Sequence, residues 1–417
     1  MNGLKHLLRI ADFRRLWIGQ VVSDFGDGLT LLALLILTQR LTGSTLALAG
    51  VAIASTLPMI IFGLPAGAFV DRVDRRKVMI MSDSARALVV LGFVLIRDPN
   101  LMWLLFLLAF VQSSIGTLFN PAKAALLPLV VPEDNLLAAN TISQMSRVIA
   151  NLAGTALVGV IAAFSQYLTI AFVIDAATFA ISAIWISRIS LTDTRAKAAA
   201  AAGSFMRDLG IGLSTIGHSR SLLGVLMAGA IAMLGLGAVN VLMVPLVVDV
   251  MGASEVWFGA LNAMQVVGMV ASGSVVAILA QRFAPTRMIS TGMIGAGLAV
   301  SAIAIADAPW QLAVILLIIG ILVAPVQAGV ATLAQVLVGD ELRGRVNSAL
   351  NTVISLAMVV SQAFAGLLAA ALGVSAVFII GGTLTVIGGA VSWILFRGQV
   401  TAPAPPSQAF EQVPEAV

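Results

Sequence analysis

Cysteine is absent from this chain of 417 residues, which removes disulfides, thiolate metal sites and thiol nucleophiles in one stroke. Histidine is almost absent too. His6 and His218 lie in polar segments far apart, so neither a histidine-rich metal centre nor a Ser-His-Asp hydrolase has its raw material. Charged residues make up 10% of the chain, against roughly a quarter in ordinary soluble proteins. A soluble protein is excluded. No G-x-x-x-x-G-K-[ST] stretch occurs, so direct ATP drive within this chain is excluded, and no cofactor, metal or enzymatic activity is expected. The net charge of +4 would point to nucleic acid only if it were gathered on a water-facing patch, and little such surface is available. No nucleic-acid partner is expected.

What the chain does have is apolar sequence, 60% of its residues, enough at about 20 residues per span for about a dozen membrane helices. Apolar runs between charge and Gly/Pro punctuation predict spans near 16–39, 44–69, 78–96, 101–119, 136–164 and 167–187, then 221–248, 255–281, 287–306, 310–337, 342–372 and 374–396. The fold read from this is an all-α integral membrane protein of twelve transmembrane helices in two six-helix lobes. The expected divisions are an N-terminal lobe over 1–189, a polar, Ala-rich cytoplasmic linker over 190–220, a C-terminal lobe over 221–396 and a disordered tail over 397–417. The basic N-terminal segment runs into the first apolar stretch without a small-residue cleavage pattern, so a retained first helix is expected.

Orientation follows from the bias of Lys and Arg towards cytoplasmic loops. With the N-terminus inside, 19 of the 23 Lys and Arg fall on the cytoplasmic side, Lys123 among them. Arg40 and Arg97 fall outside, and Arg86 and Arg147 lie within spans. Both termini are therefore expected in the cytoplasm, with the chain in the cell (inner) membrane. The halves also repeat: Glu133 to Asn140 matches Asp340 to Asn347 and Gly159 matches Gly366, all at one offset of 207 residues. Duplication of a six-helix unit explains this.

Between the second and third spans the chain reads Gly67-Ala-Phe-Val-Asp71-Arg72-Val-Asp74-Arg75-Arg76. With twelve spans around it, this resembles the G-x-x-x-D-R-x-G-R-R pattern of the major facilitator superfamily, with Asp74 in place of the second glycine. The resemblance implies a latch of Gly67, Asp71, Arg72, Arg75 and Arg76 between the lobes that favours the outward-open state. A carboxylate facing a helix N-terminus is a physical basis for such a contact. Leu16-Trp-Ile-Gly-Gln with Gly26-Asp27, Asn120-Pro121-Ala122, Arg147 in Ser-Arg-Val-Ile-Ala, and Asp175-Ala-Ala-Thr-Phe look like the macrolide-efflux and enterobactin-export branch of that superfamily. That likeness implies drug-proton antiport. Two departures stand out: the fifth span has Gly154-Thr155 where antiporters carry Gly-Pro, and the fourth lacks the arginine linked to proton relay.

Charges within spans are expensive in hydrocarbon and are functional candidates by default. Here they are Asp24, Asp27, Asp83 and Asp175 against Arg86 and Arg147. At 1.5 Å rise per residue, Asp24 lies about 12 Å and Asp27 about 16 Å from the cytoplasmic face, Arg147 about 16 Å and Asp175 about 18 Å. By depth Arg147 reaches either Asp27 or Asp175. Asp83 and Arg86, three residues apart, are expected to pair with each other. Asp27, Asp24, Arg147 and Asp175 are thus the proton-coupling candidates, Asp27 foremost. Helical spacing adds polar faces, from which Gln20, Gln112, Asn120, Gln144, Asn151, Asn240 and Gln327 are expected to line a substrate cavity.

The reading is a secondary active transporter working by alternating access, exporting amphipathic or cationic small molecules in exchange for protons. The alternative is a proton-independent facilitator or flippase for a lipid or siderophore. Expected partners are a small-molecule substrate, protons and the lipid bilayer, with the protein a monomer. A channel would need a selectivity ring, and none is present.

Overall fold

The computed structural model describes residues 7–70, 72–165, 168–190, 205–338 and 340–397, and every regular element among them is helical. A backbone in hydrocarbon has no water to bond, so each spanning segment must satisfy its own N–H and C=O groups, as a helix does. In chain order the first six are α1 (Ala11–Thr42), α2 (Thr45–Val70), α3 (Arg75–Gly92), α4 (Met102–Val130), α5 (Leu136–Phe164) and α6 (Thr169–Ser187). Then come α7 (Phe205–His218), α8 (Arg220–Pro245), α9 (Trp257–Arg282), α10 (Pro285–Ala302), α11 (Pro309–Leu337), α12 (Asp340–Leu372) and α13 (Val374–Leu395). Among the described residues, 11 helical stretches are long and apolar enough to cross a membrane. The chain is a multi-pass membrane protein. The full count of twelve rests on α9, which stands at the place of the expected eighth span.

Three boundaries differ from the sequence expectation. Helix α4 does not stop at 119 but runs through Asn120 and Pro121 to Val130, with Pro121 and Pro128 inside it. Membrane helices tolerate such prolines because neighbouring groups satisfy the freed carbonyls. Asp74, at the place of the family pattern's second glycine, caps α3 by accepting the Lys77 N–H at 3.2 Å, a standard N-cap that fixes the turn without glycine. The linker region contains α7, which packs on α12 and buries Ile216. Linker residues 191–204 and the expected disordered tail beyond Arg397 lie outside the described residues.

Packing repeats from half to half. Helix α1 lies on α5 and α6, α3 on α4 and α6, and α2 on α4; likewise α8 lies on α12 and α13, α10 on α11 and α13, and α9 on α11. The halves meet where α2 touches α12 and α5 touches α9. The repeat glycines sit at those two seams. A Cβ on Gly159 would stand 2.7 Å from the Glu255 carbonyl, and one on Gly366 would stand 2.5 Å from the Ala49 side chain and 2.8 Å from the Thr45 carbonyl.

One end of the bundle is tied shut. Arg40 pairs with Glu255 at 2.9 Å and donates to the Ala162 carbonyl at 2.6 Å, while Gln39 bonds to Asp249 and Thr45 to the Gly366 carbonyl. Towards the other end the halves part. Helix α5 shows the change along its length: Ala156 and Gly159 are packed against the start of α9, whereas Asn140, Gln144 and Arg147, nearer the start of α5, are exposed or half-exposed.

Candidate functional site

The parted end leads into a cavity of about 200 Å³ lined by Gln20, Ser23, Asp24, Asp27, Arg86, Gly116, Phe119, Asn120, Lys123, Arg147 and Asn151. All come from α1, α3, α4 and α5. Arg86 on α3 organises the buried side. Its guanidinium holds Asp83 at 2.6 Å and reaches across to Asp27 on α1 at 3.4 Å. The Phe179 ring lies 4.2 Å and the Phe119 ring 5.1 Å from its carbon centre, which adds cation–π attraction. Asp83 is fully buried, while the Asp27 side chain is 40% exposed, into the cavity. One cation thus bridges a sealed carboxylate and an accessible one.

The sequence reading left Arg147 able to reach either Asp27 or Asp175. The expected Asp83–Arg86 pair is present, but Arg86 is also the partner of Asp27; Arg147 lines the cavity and bridges neither Asp27 nor Asp175. Asp175 is fully buried behind α1, where it accepts hydrogen bonds from Thr30 and, at 3.1 Å, from Thr178. It does not face the cavity. Asp24 does, together with Lys123, which the elongation of α4 carries from an expected loop into the site.

A second cavity, of about 140 Å³, lies nearer the tied end between the halves. Gly28, Leu31, Leu35, Thr155, Asn240, Met243, Phe258, Asn262 and Gln265 line it, and Asn151 belongs to both cavities. Of the expected substrate residues, Gln20, Asn120, Asn151 and Asn240 line one cavity or the other. Gln112 is buried instead, and Gln144 and Gln327 line neither. The residues missed from sequence are Arg86 as partner of Asp27, Lys123, and the threonines around Asp175. A count of three residues found Asp83 for Arg86; nothing in one sequence marks the approach of α3 to α1.

Of the expected latch, Asp71 lies outside the described residues, and Gly67 has open space where a Cβ would stand. Arg72 is exposed. Arg75 donates to the Ala125 carbonyl of α4 at 3.2 Å and Arg76 to the Ser187 carbonyl at the end of α6. Both bonds tie the start of α3 to helices of its own half, and cations suit helix C-termini because the macrodipole ends there in partial negative charge.

Long apolar helices, a packing pattern repeated in two halves and a charged cavity between helices suit a transporter. The chain matches the Major Facilitator Superfamily over residues 16–362 and 225–416, and it belongs to that superfamily. The family match makes the chain a transporter and not an enzyme. It is 27% identical over 380 residues to Macrolide efflux protein A of Streptococcus pyogenes, covering 90% of this chain and 93% of that one. It is 32% identical over 174 residues to the putative bacilysin exporter BacE of Bacillus subtilis, covering 42% and 43%. Among solved structures, a point mutant of the nucleoside transporter NupG superposes with a TM-score of 0.78 at 11% identity, covering 92% of this chain and all of that one.

Proposed function

We propose that this chain is a proton-coupled exporter of amphipathic or cationic small molecules, a monomer of twelve spans in the inner membrane with both termini and the linker in the cytoplasm. Its efflux relatives support export. The parted end carries Arg72, Arg75, Arg76 and Arg188, and by the positive-inside rule this supports reading it as the cytoplasmic end and the present shape as inward-open. Alternating access then requires the Arg40 end to open and the Gly67–Arg76 latch to close.

The observation that carries the coupling is Arg86 held between sealed Asp83 and accessible Asp27. A proton on Asp27 removes one of the two anions that hold Arg86, and the guanidinium withdraws to Asp83. The tie between α1 and α3 is then released. Charge balance supports the same reading: Asp24, Asp27, Asp83 and Asp175 face Arg86, Lys123 and Arg147, so one bound proton leaves the group neutral. Asp175 takes a supporting role, packing α6 against α1.

The test is Asp27→Asn in proteoliposomes with an imposed pH gradient. Substrate binding is expected to stay measurable while its pH dependence and gradient-driven accumulation disappear. Proton-driven export at near-normal rate in this variant overturns the assignment.

A further inference from the structure

Arg86 pairs with Asp27 and Asp83, and two threonines bond to Asp175. Three charges of the first cavity remain: Asp24 on α1, Lys123 on α4 and Arg147 on α5, none with a hydrogen-bond or ion-pair partner for its side chain among the described residues. They are close enough to feel one another, Lys123 and Arg147 repelling and Asp24 attracting both. Two unpaired cations beside one unpaired carboxylate do not make a site for a simple cation.

We propose that Lys123 and Arg147 bind an acidic group of the substrate, a carboxylate or phosphate, while Asp24 binds a neighbouring amine, so that the transporter prefers zwitterions to plain cations. This rests on reading the cavity as the substrate site and names the substrate class within it. An anion between the two cations relieves their repulsion. The arginine fork matches the two oxygens of a carboxylate or phosphate, and the lysine ammonium adds a point charge. Asn120 and Asn151 supply neutral bonds around the head group. The apolar body of the substrate continues past Asn151 into the second cavity, against Leu31, Met243 and Phe258.

A matched dye pair tests this: rhodamine B, whose free carboxylate makes it a zwitterion, and its ethyl ester, a cation of nearly the same size. Binding to the purified full chain in detergent is measured by fluorescence polarisation, and accumulation is measured in proteoliposomes. Wild type is expected to bind the acid more tightly than the ester. Lys123→Gln and Arg147→Gln should each weaken the acid by about tenfold, the worth of a charge-assisted hydrogen bond, and leave the ester unchanged or tighter. Lys123→Arg and Arg147→Lys should keep the preference, which separates charge recognition from damage to the fold. Equal binding of acid and ester by wild type, or equal weakening of both in the Gln variants, overturns the anion subsite. Preferential binding of the acid without pH-driven accumulation of either dye leaves the subsite standing and overturns the proton-coupled exporter. Failure to bind either dye overturns both.

Discussion

Gly26-Asp27-Gly28 on α1 and Gly235-Leu236-Gly237 on α8 hold the same place in the two halves. The first glycine of each meets the sixth helix of its half: a Cβ on Gly26 would overlap Asp175 and Thr178 of α6, and one on Gly235 would overlap Thr385 and the Gly381 carbonyl of α13. The last glycine of each meets the fifth helix, Gly28 at Asn151 of α5 and Gly237 at Ser361 of α12. The crossings are alike, yet what they enclose is not. Between the glycines stands Asp27 in one half and Leu236 in the other, and beneath the first glycine lies a carboxylate in one half and a hydroxyl with bare backbone in the other. The two halves share their close helix crossings, while only the first has filled them with charge. On the proposed mechanism, coupling is thereby confined to one half, and the other supplies an apolar and amide wall that moves against it.

The largest effect should come from removing the sealed anion. Asp83→Ala leaves Arg86 buried with only the looser contact to Asp27, and breaking a buried pair in this way costs about 3 to 5 kcal/mol. Asp27→Leu copies Leu236 of the second half and leaves the tight Asp83 pair intact, so it should melt close to wild type. Thermal denaturation in detergent checks both. Equal destabilisation by the two variants would mean that Asp27 holds the fold as much as Asp83 does, and the division between a structural and an accessible carboxylate would fall.

A smaller effect separates the two crossings by what closes them. Gly26→Ala overpacks against side chains alone, whereas Gly235→Ala overpacks against the Thr385 side chain and a carbonyl of the facing backbone, each at a cost of about 1 to 3 kcal/mol. Trimming Asp175 and Thr178 to alanine in the Gly26→Ala background should recover part of the loss, net of the hydrogen bonds removed. Trimming Thr385 in the Gly235→Ala background should recover a smaller share, because the Gly381 carbonyl stays. Melting temperatures of the single and combined variants decide it.

How much of the fold and the site is legible in the sequence depends on which direction in space a residue fixes. Hydropathy and the Lys/Arg bias measure position along the membrane normal, so the approximate spans and an expected depth for Asp27 follow from the order of residues alone. Depth by itself makes Arg147 as good a partner for Asp27 as Arg86. The choice between them depends on which helices adjoin and how each is turned about its axis, and a single sequence carries no such signal. The Asp83–Arg86 pair is readable because its spacing lies within one helix. Asn120-Pro121 misleads for a local reason: in water it marks a helix end, whereas here α4 passes through it and brings Lys123 into the site.

The smallest expected effect lies at the tied end, where the halves are joined by polar contacts. Arg40 serves two roles there, an ion pair to Glu255 across the halves and hydrogen bonds to the Ala162 and Ser165 carbonyls within its own half. The pair is partly exposed, with side chains 28% and 16% accessible, so its share is about 0.2 to 1 kcal/mol, enough to move a near-balanced conformational equilibrium by up to a few-fold. Glu255→Gln removes the charge attraction alone, whereas Arg40→Gln also frees the carbonyls at the end of α5. Because the chain has no cysteine, spin labels at introduced cysteines flanking Ser165 and Ser254 report the separation of the halves without background. Both variants should populate a longer distance than wild type, Arg40→Gln more than Glu255→Gln. If neither variant changes the distance distribution, the two seams around Gly159 and Gly366 hold this end closed by packing alone, and the polar contacts only decorate it.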